Sequence, residues 1–347
     1  MLFKTIDKSE FKRLIDFLLA DHEVIGPKQI GVNKDGGSIH QFLPVSTFEE
    51  IDWGYATTEF SAKTYFLPYR ETLSSYQIRE QDWTQTIEYR LKPRYMVGLH
   101  ACDINALLRL DKVLARSTFP SPYYISRRRN TFIMGIDHEP LEDCFCRSVG
   151  ADVVTQGFEL YLTDLGDRYF VAINSDRGFN LLKRVKVRDV TETDNRAYLE
   201  VRRQHAQRQK PLNLHDIPNL LDIEFNSDVW RQWGEKCLNC GSCAMVCPTC
   251  YCYGVGEHVN MENTEAVKYR QLYSCNLKDF ASVAGGHNFR PDPATRLKYR
   301  YYHQYRGFTE TYESPLCVGC NRCGRVCLAG IHPAGILKDL QAEGGVA

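Results

Sequence analysis

Eight of the fourteen cysteines fall into two blocks with one spacing, C-x2-C-x2-C-x3-C: CLNCGSCAMVC at 237–247 and CVGCNRCGRVC at 317–327. Three thiolates three residues apart can wrap one face of a 4Fe-4S cube, and in two-cluster ferredoxins the fourth cysteine of such a run ligates the other cube. The spacing therefore predicts Cys237, Cys240, Cys243 and Cys327 around one cluster, and Cys317, Cys320, Cys323 and Cys247 around a second. Structural zinc also takes four cysteines in C-x2-C pairs, usually as two pairs split by a longer loop. Here each block supplies four cysteines within eleven residues. Irons ligated entirely by protein leave no open position for a substrate, so the chemistry implied is electron transfer. Gly241, Ser242, Gly319 and Gly324 are small enough to let backbone amides approach the sulfurs, which raises reduction potential. Lys236, Arg322 and Arg325 either offset the negative cubes or are ordinary solvated side chains.

The other cysteines are less regular. Cys102, Cys144 and Cys146 could converge with His138 or Asp103 on a third metal or cluster site. Three cysteines and a histidine also make a zinc set, and free buried thiols are the plain alternative. Cys250 and Cys252, in PTCYCYG, line that third site or pack beside the first cluster; Cys275 reads as structural. No G-x-G-x-x-G follows a strand and no Walker A sequence is present, so a flavin or nicotinamide site within this chain has no support. Arg127, Arg128 and Arg129 read as the solvated start of a strand. The stretch FRPDPATRLKYRYYHQY interleaves basic and aromatic residues, as some nucleic-acid binders do, but a helix packing its tyrosines near the clusters fits the neutral chain better. His258, His287 and His332 read as ordinary polar residues.

The elements that must position these cysteines come from a chain of 347 residues, long enough for two cores. Its 43 basic and 43 acidic side chains balance, and 43% of residues are hydrophobic. That excludes a disordered charged chain and argues against nucleic acid or anionic lipid as a partner of the whole surface. No run of 18 apolar residues occurs and MLFKTIDKSEFKR lacks the pattern of a secretory signal, so neither a membrane span nor export is expected and the cytoplasm is the expected location. Phe11, Leu14, Ile15 and Leu18 lie on one stripe of a helix over 8–20, and strand-like runs follow at 23–27, 64–68, 94–99, 130–136 and 168–173, with a helix over 104–115. Residues 203–219 lack apolar periodicity and read as a linker. The expected architecture is an α+β or α/β N-terminal domain over 1–215, followed by a helical ferredoxin domain over 220–347, where strand signals are scarce.

Several further segments resemble one known family: KTYFLPYRETL at 63–73, GLHACDINAL at 98–107, YYISRRRNTFIMGI at 123–136, EDCFCRSVGAD at 142–152, FELYLTDLGDRYFVAI at 158–173 and CPTCYCYGV at 247–255. In this order they resemble the iron–sulfur proteins represented by the β subunit of cytosolic NiFe sulfhydrogenases and by the corresponding iron–sulfur component of anaerobic sulfite reductase. The resemblance implies a helical ferredoxin domain with two 4Fe-4S clusters in a non-catalytic subunit of an oxidoreductase complex. It implies electron relay from or to a reductase subunit that binds FAD and NAD(P)H, with a terminal catalytic subunit of the NiFe hydrogenase or sirohaem sulfite reductase type at the other end. The chain departs from the family pattern at His138, where a cysteine is expected, and at His100 and Ala101, which replace Arg-Pro; the first puts an all-cysteine third site in doubt. Two other functions compete: a self-sufficient metalloenzyme using the first-domain cysteines, and a zinc-stabilised interaction module.

Overall fold

The computed structural model describes residues 1–34, 36–87, 89 and 93–345. The first half contains β1 (Leu2–Asp7), α1 (Lys8–Asp21), β2 (Glu23–Val32), β3 (Ser38–Val45), β4 (Arg70–Arg79), β5 (Asp82–Thr86), β6 (Arg94–Leu99), α2 (Ala101–Leu114) and α3 (Pro122–Arg129). It continues through β7 (Thr131–Ile136), β8 (Leu160–Asp164), β9 (Arg168–Ile173), α4 (Asp176–Leu182), β10 (Arg188–Asp189) and α5 (Glu192–Arg208).

Eight of these strands form a sheet in the order β10-β1-β9-β8-β7-β6-β2-β3. Its centre, β2-β6-β7-β8, is parallel, and antiparallel strands flank it on both sides. Both faces are covered, which explains why β7, TFIMGI, is apolar and buried along its whole length. Phe132, Met134 and Ile136 meet the α1 stripe of Phe11, Leu14, Ile15 and Leu18, while Ile133 meets Ile104, Leu107 and Leu110 of α2. Parallel pairing places the ends of β6 and β7 side by side, so His100 and His138 leave the sheet at the same edge.

The second half holds α6 (Ile217–Ile223), α7 (Val229–Lys236), α8 (Ser242–Val246), β11 (Tyr253–Val259), β12 (Glu265–Leu272), α9 (Pro293–Tyr302), α10 (Phe308–Tyr312), α11 (Arg322–Arg325) and α12 (Pro333–Glu343). A π-helical turn, His303–Gly307, joins α9 to α10. This half is therefore not wholly helical. β11 and β12 form a hairpin that pairs with β4 of the first half, giving a four-stranded antiparallel sheet, β11-β12-β4-β5. β11 is largely exposed and β12 mostly half-buried with polar residues along it, which is why no apolar alternation announced the hairpin.

Three other expectations change. Residues 64–68 form no strand: Ala62–Tyr65 is a 3-10 turn, and Phe66 and Leu67 plug the core beneath α2. The arginine run ends α3 rather than opening a strand, with Arg127 bonded to Glu71 and Arg128 paired to Asp111 at 2.8 Å. The expected linker is partly helix, since α5 runs to Arg208, and Leu212 and Ile217 are buried in a core built by both halves. That core joins Cys102, Phe145 and Val149 to Leu221, Trp230, Leu297 and Leu337. Its α5 segment lacks periodicity because the helix lies on the surface with only Asp194 buried.

Candidate functional site

The two blocks close around two adjoining cavities. The first is lined by Cys237, Cys240, Cys243 and Cys327, together with Cys323. The second is lined by Cys247, Cys317, Cys320 and Cys323. The fourth cysteine of each run stands at the other run's cavity, Cys323 lines both, and α8 and α11 lie against each other. Among the described residues no three His, Cys, Asp or Glu side chains sit close enough to hold a single metal ion. Thiols spread around a cavity suit the separate corners of a cube better than one tetrahedral zinc.

A local backbone device shapes both blocks. In each, the residues on either side of the second cysteine are left-handed: Asn239 at φ 54° and Gly241 at 80° in the first, Gly319 at 68° and Asn321 at 50° in the second. Asparagine and glycine are the residues that tolerate this region. They exchange places between the blocks for a packing reason. A Cβ on Gly319 would lie 2.5 Å from the carbonyl carbon of Phe145, so only glycine fits there. Asn239 and Asn321 instead use their amides, which donate to the Cys237 carbonyl at 3.0 Å and to Asp143 at 2.9 Å. The Gly319 amide reaches Cys317 Sγ at 3.4 Å and the Asn276 amide reaches Cys243 Sγ at 3.3 Å.

Burial pushes the thiols of Cys237, Cys243, Cys317 and Cys320 upward, and that of Cys323 to about 12. Left to themselves these thiols stay protonated in the core. Thiolate ligation needs local positive charge, which iron supplies. The donor set therefore fits iron–sulfur clusters. Two of the eight thiols differ: the Ser242 hydroxyl lowers Cys240, and contact with Cys250 lowers Cys247.

The first half grips the second cavity. The Phe145 amide donates to the Gly319 carbonyl at 2.8 Å. Arg109 of α2 bonds the carbonyl of Cys317 and, at 2.8 Å, that of Val149. Arg322, which the sequence left open as a solvated side chain, is 2% exposed; it pairs with Asp103 at 2.9 Å and donates to the Thr58 carbonyl at 2.9 Å. Arg325 pairs with Asp143 at 2.6 Å.

Of the third group, Cys102, His138 and Cys146 line one cavity. Cys146 touches both Cys102 and Cys144 through their sulfurs. Asp103 turns away to Arg322, and Cys144 faces a different cleft with Asp143 and Phe145. The two positions that depart from the family pattern meet: the His100 and His138 rings stack at 3.6 Å and 3°, and His100 stacks on Tyr55 at 4.0 Å. His100 Nε2 and His138 Nδ1 are both buried without a partner. Burial holds both imidazoles below their usual range, His138 at about 4, so both rings are neutral near pH 7.

Sequence reasoning missed the cationic and polar stripe that reaches the two cavities. Arg296, Arg300 and Gln304 recur every four residues and are 4%, 7% and 5% exposed on a helix otherwise packed through Leu297, Tyr301 and Tyr305; Arg300 lines both cavities and Gln304 the second. A polar stripe of that period beside an apolar one was the available signal. Lys63 is also buried and donates to the Cys250 carbonyl at 2.9 Å. Cys275, read as structural and alone, contacts Cys252.

Residues 236–331 match the family described as a 4Fe-4S dicluster domain. The chain is 35% identical over 308 residues to Sulfhydrogenase 2 subunit beta of Pyrococcus furiosus, an alignment covering 88% of this chain and 90% of that protein. No solved structure matches it. No helix among the described residues is long and apolar enough to cross a membrane.

Proposed function

The chain belongs to the sulfhydrogenase β-subunit family of iron–sulfur electron-transfer proteins, and from that premise we propose that it relays electrons between a partner that binds FAD and NAD(P)H and a separate catalytic subunit. The observation that carries this reading is the crossed division of eight cysteines between two adjoining cavities. Cys237, Cys240, Cys243 and Cys327 would hold one 4Fe-4S cluster, and Cys317, Cys320, Cys323 and Cys247 the other. When bound, such clusters take up and release single electrons.

The chain's own residues do the rest. They donate hydrogen bonds to sulfur from Gly319 and Asn276 and hold the cavities against one shared wall containing Arg300, Tyr301, Cys323 and Pro333. Hydride chemistry belongs to the flavin of the partner subunit. For the terminal subunit we propose a catalytic partner of the NiFe hydrogenase or the sirohaem sulfite reductase type.

The test is metal analysis of the anaerobically purified full chain. About eight irons and eight acid-labile sulfides per chain are expected from two cubes. Zinc without iron would overturn the relay in favour of a zinc-stabilised module, and turnover of a natural substrate by the isolated chain would favour a self-sufficient enzyme.

A third cluster at Cys102, Cys144, Cys146 and His138 is a second element of the proposal, favoured over a single metal ion because among the described residues no three such side chains converge on one point, and by the thiol pairs of Cys146 next to an unpartnered imidazole nitrogen. Cys146→Ala should then lower the metal content below that of the unmodified chain. Unchanged content returns these residues to the role of buried thiols.

A further inference from the structure

Arg300 occupies the wall between the two cysteine cavities and lines both. Its guanidinium donates to Cys250 Sγ at 3.1 Å and to the Cys243 carbonyl at 3.3 Å. Gln304 approaches the same sulfur at 3.6 Å, and Lys63 holds the Cys250 carbonyl at 2.9 Å. Cys250 is thus fixed from three directions and aims the guanidinium into the wall, which gives the PTCYC segment a use that ligand counting leaves unassigned.

The charge environment sets Arg300 apart from Arg322 and Arg325, while Arg109 at the second cavity likewise bonds only carbonyls. Arg322 and Arg325 are neutralised locally by Asp103 at 2.9 Å and Asp143 at 2.6 Å. Among the described residues no carboxylate pairs with Arg300, and the hydrogen bonds of its guanidinium go to Cys250 Sγ and the Cys243 carbonyl. An arginine stays protonated, and a buried cation without a counter-charge is strongly destabilising. Cubes held by thiolates carry net negative charge, which grows by one on reduction. A fixed positive charge in the shared wall favours the reduced form of each.

We propose that Arg300 is the common counter-charge of the two clusters and raises both of their reduction potentials together. It is a positioning residue that acts on the clusters through charge and through the wall it completes. The proposal deepens the two-cluster reading and rests on it, but iron and sulfide content tests that reading separately.

The experiment is a redox titration of the full chain, isolated anaerobically, followed by electron paramagnetic resonance in the unmodified protein and in Arg300→Gln and Arg300→Lys. With iron content unchanged, both potentials should move to more negative values in Arg300→Gln, and Arg300→Lys should recover most of the loss because it restores charge without the planar fork. If either potential stays in place in Arg300→Gln, or if Gln and Lys shift them equally, the shared-charge role is wrong. Should Arg300→Gln lose iron, unmodified protein grown with guanidinium-15N arginine decides the question. Pulsed resonance should show 15N coupling to the reduced cluster of the first cavity, where Arg300 is the one arginine among the described lining residues. Absence of that coupling would overturn the proposal.

Discussion

The two cysteine blocks share a spacing and a backbone device but stand in opposite surroundings. At the first cavity Cys240 is exposed, and the rim residues Leu238 and Leu328 are 62% and 86% exposed. At the second, Cys320 is buried, and the DCFC loop, α2 and the Arg322–Asp103 pair close over it. The motif sets which sulfurs meet; the tertiary surroundings set how each site behaves. Solvent exposure is one determinant of cluster potential, so equal ligand sets need not give equal potentials. The arrangement also has a direction. Cys102, Cys144 and Cys146 adjoin the second block through the Cys144 contact with the Cys320 carbonyl at 3.6 Å, and the first cavity lies beyond it, open at Cys240.

The contrast should break most sharply under ligand removal. Cys320→Ser should cost the inner cluster and, because metal binding there is coupled to folding of a core shared by both halves, also lower the thermal midpoint. Cys240→Ser should remove only the outer cluster's signal and leave the midpoint nearly in place. Equal loss of stability in the two variants would erase the distinction between an outer and an inner site. Next in size is Asp103→Asn, which leaves Arg322 as a buried cation without its partner and should destabilise by about 3–5 kcal/mol in denaturant titration. Smaller again is Gly319→Ala. Its left-handed backbone alone costs about 1–3 kcal/mol, and the clash with the Phe145 backbone should add to that and displace the DCFC loop. Gly241→Ala is its control: the added Cβ would meet the Ser274 side chain at 2.9 Å rather than backbone, so the smaller loss belongs there.

What the sequence disclosed follows from where the physics is local. The cysteine spacing and the small Gly241 and Gly319 beside Cys240 and Cys320 are short-range features. So is the α1 stripe, and each is legible in a few residues. The all-buried run of β7 was equally plain. What lay hidden depends on long-range pairing. β12 meets β4 nearly two hundred residues away along the chain, and a polar hairpin carries no pattern that names its partner. The Arg322–Asp103 pair joins α11 to α2 in the same way, so burial of that arginine could not be read from its neighbours. Family resemblance located ACD, DCFC and CPTCYC in order, yet not that His100 and His138, its two departures, would stack on one another.

The surface helix α5 gives the smallest and cleanest test, because it was mistaken for linker at its end and touches neither cavity. Its N-terminus is a capping box: the Asp194 amide donates to Thr191 Oγ1 at 3.2 Å, and the Thr191 amide donates to the Asp194 carboxylate at 2.9 Å. Asp194 also accepts from Arg168 of β9 at 2.7 Å, tying the helix to the sheet. Hydrogen bonds from Thr191 hold the Asp194 carboxyl down at about 2. A depressed carboxylate contributes stability above its unfolded pKa and loses it as pH falls through the folded value, so the contribution is complete and constant from pH 6 to 8. Thr191→Ala removes the cap and should cost about 1 kcal/mol, with the same difference from the unmodified chain at pH 6 and pH 8 and no change in the spectrum of either cluster. A difference that varied across that range would mean that another group reads the cap, and a changed cluster spectrum would mean that α5 is coupled to the cavities after all.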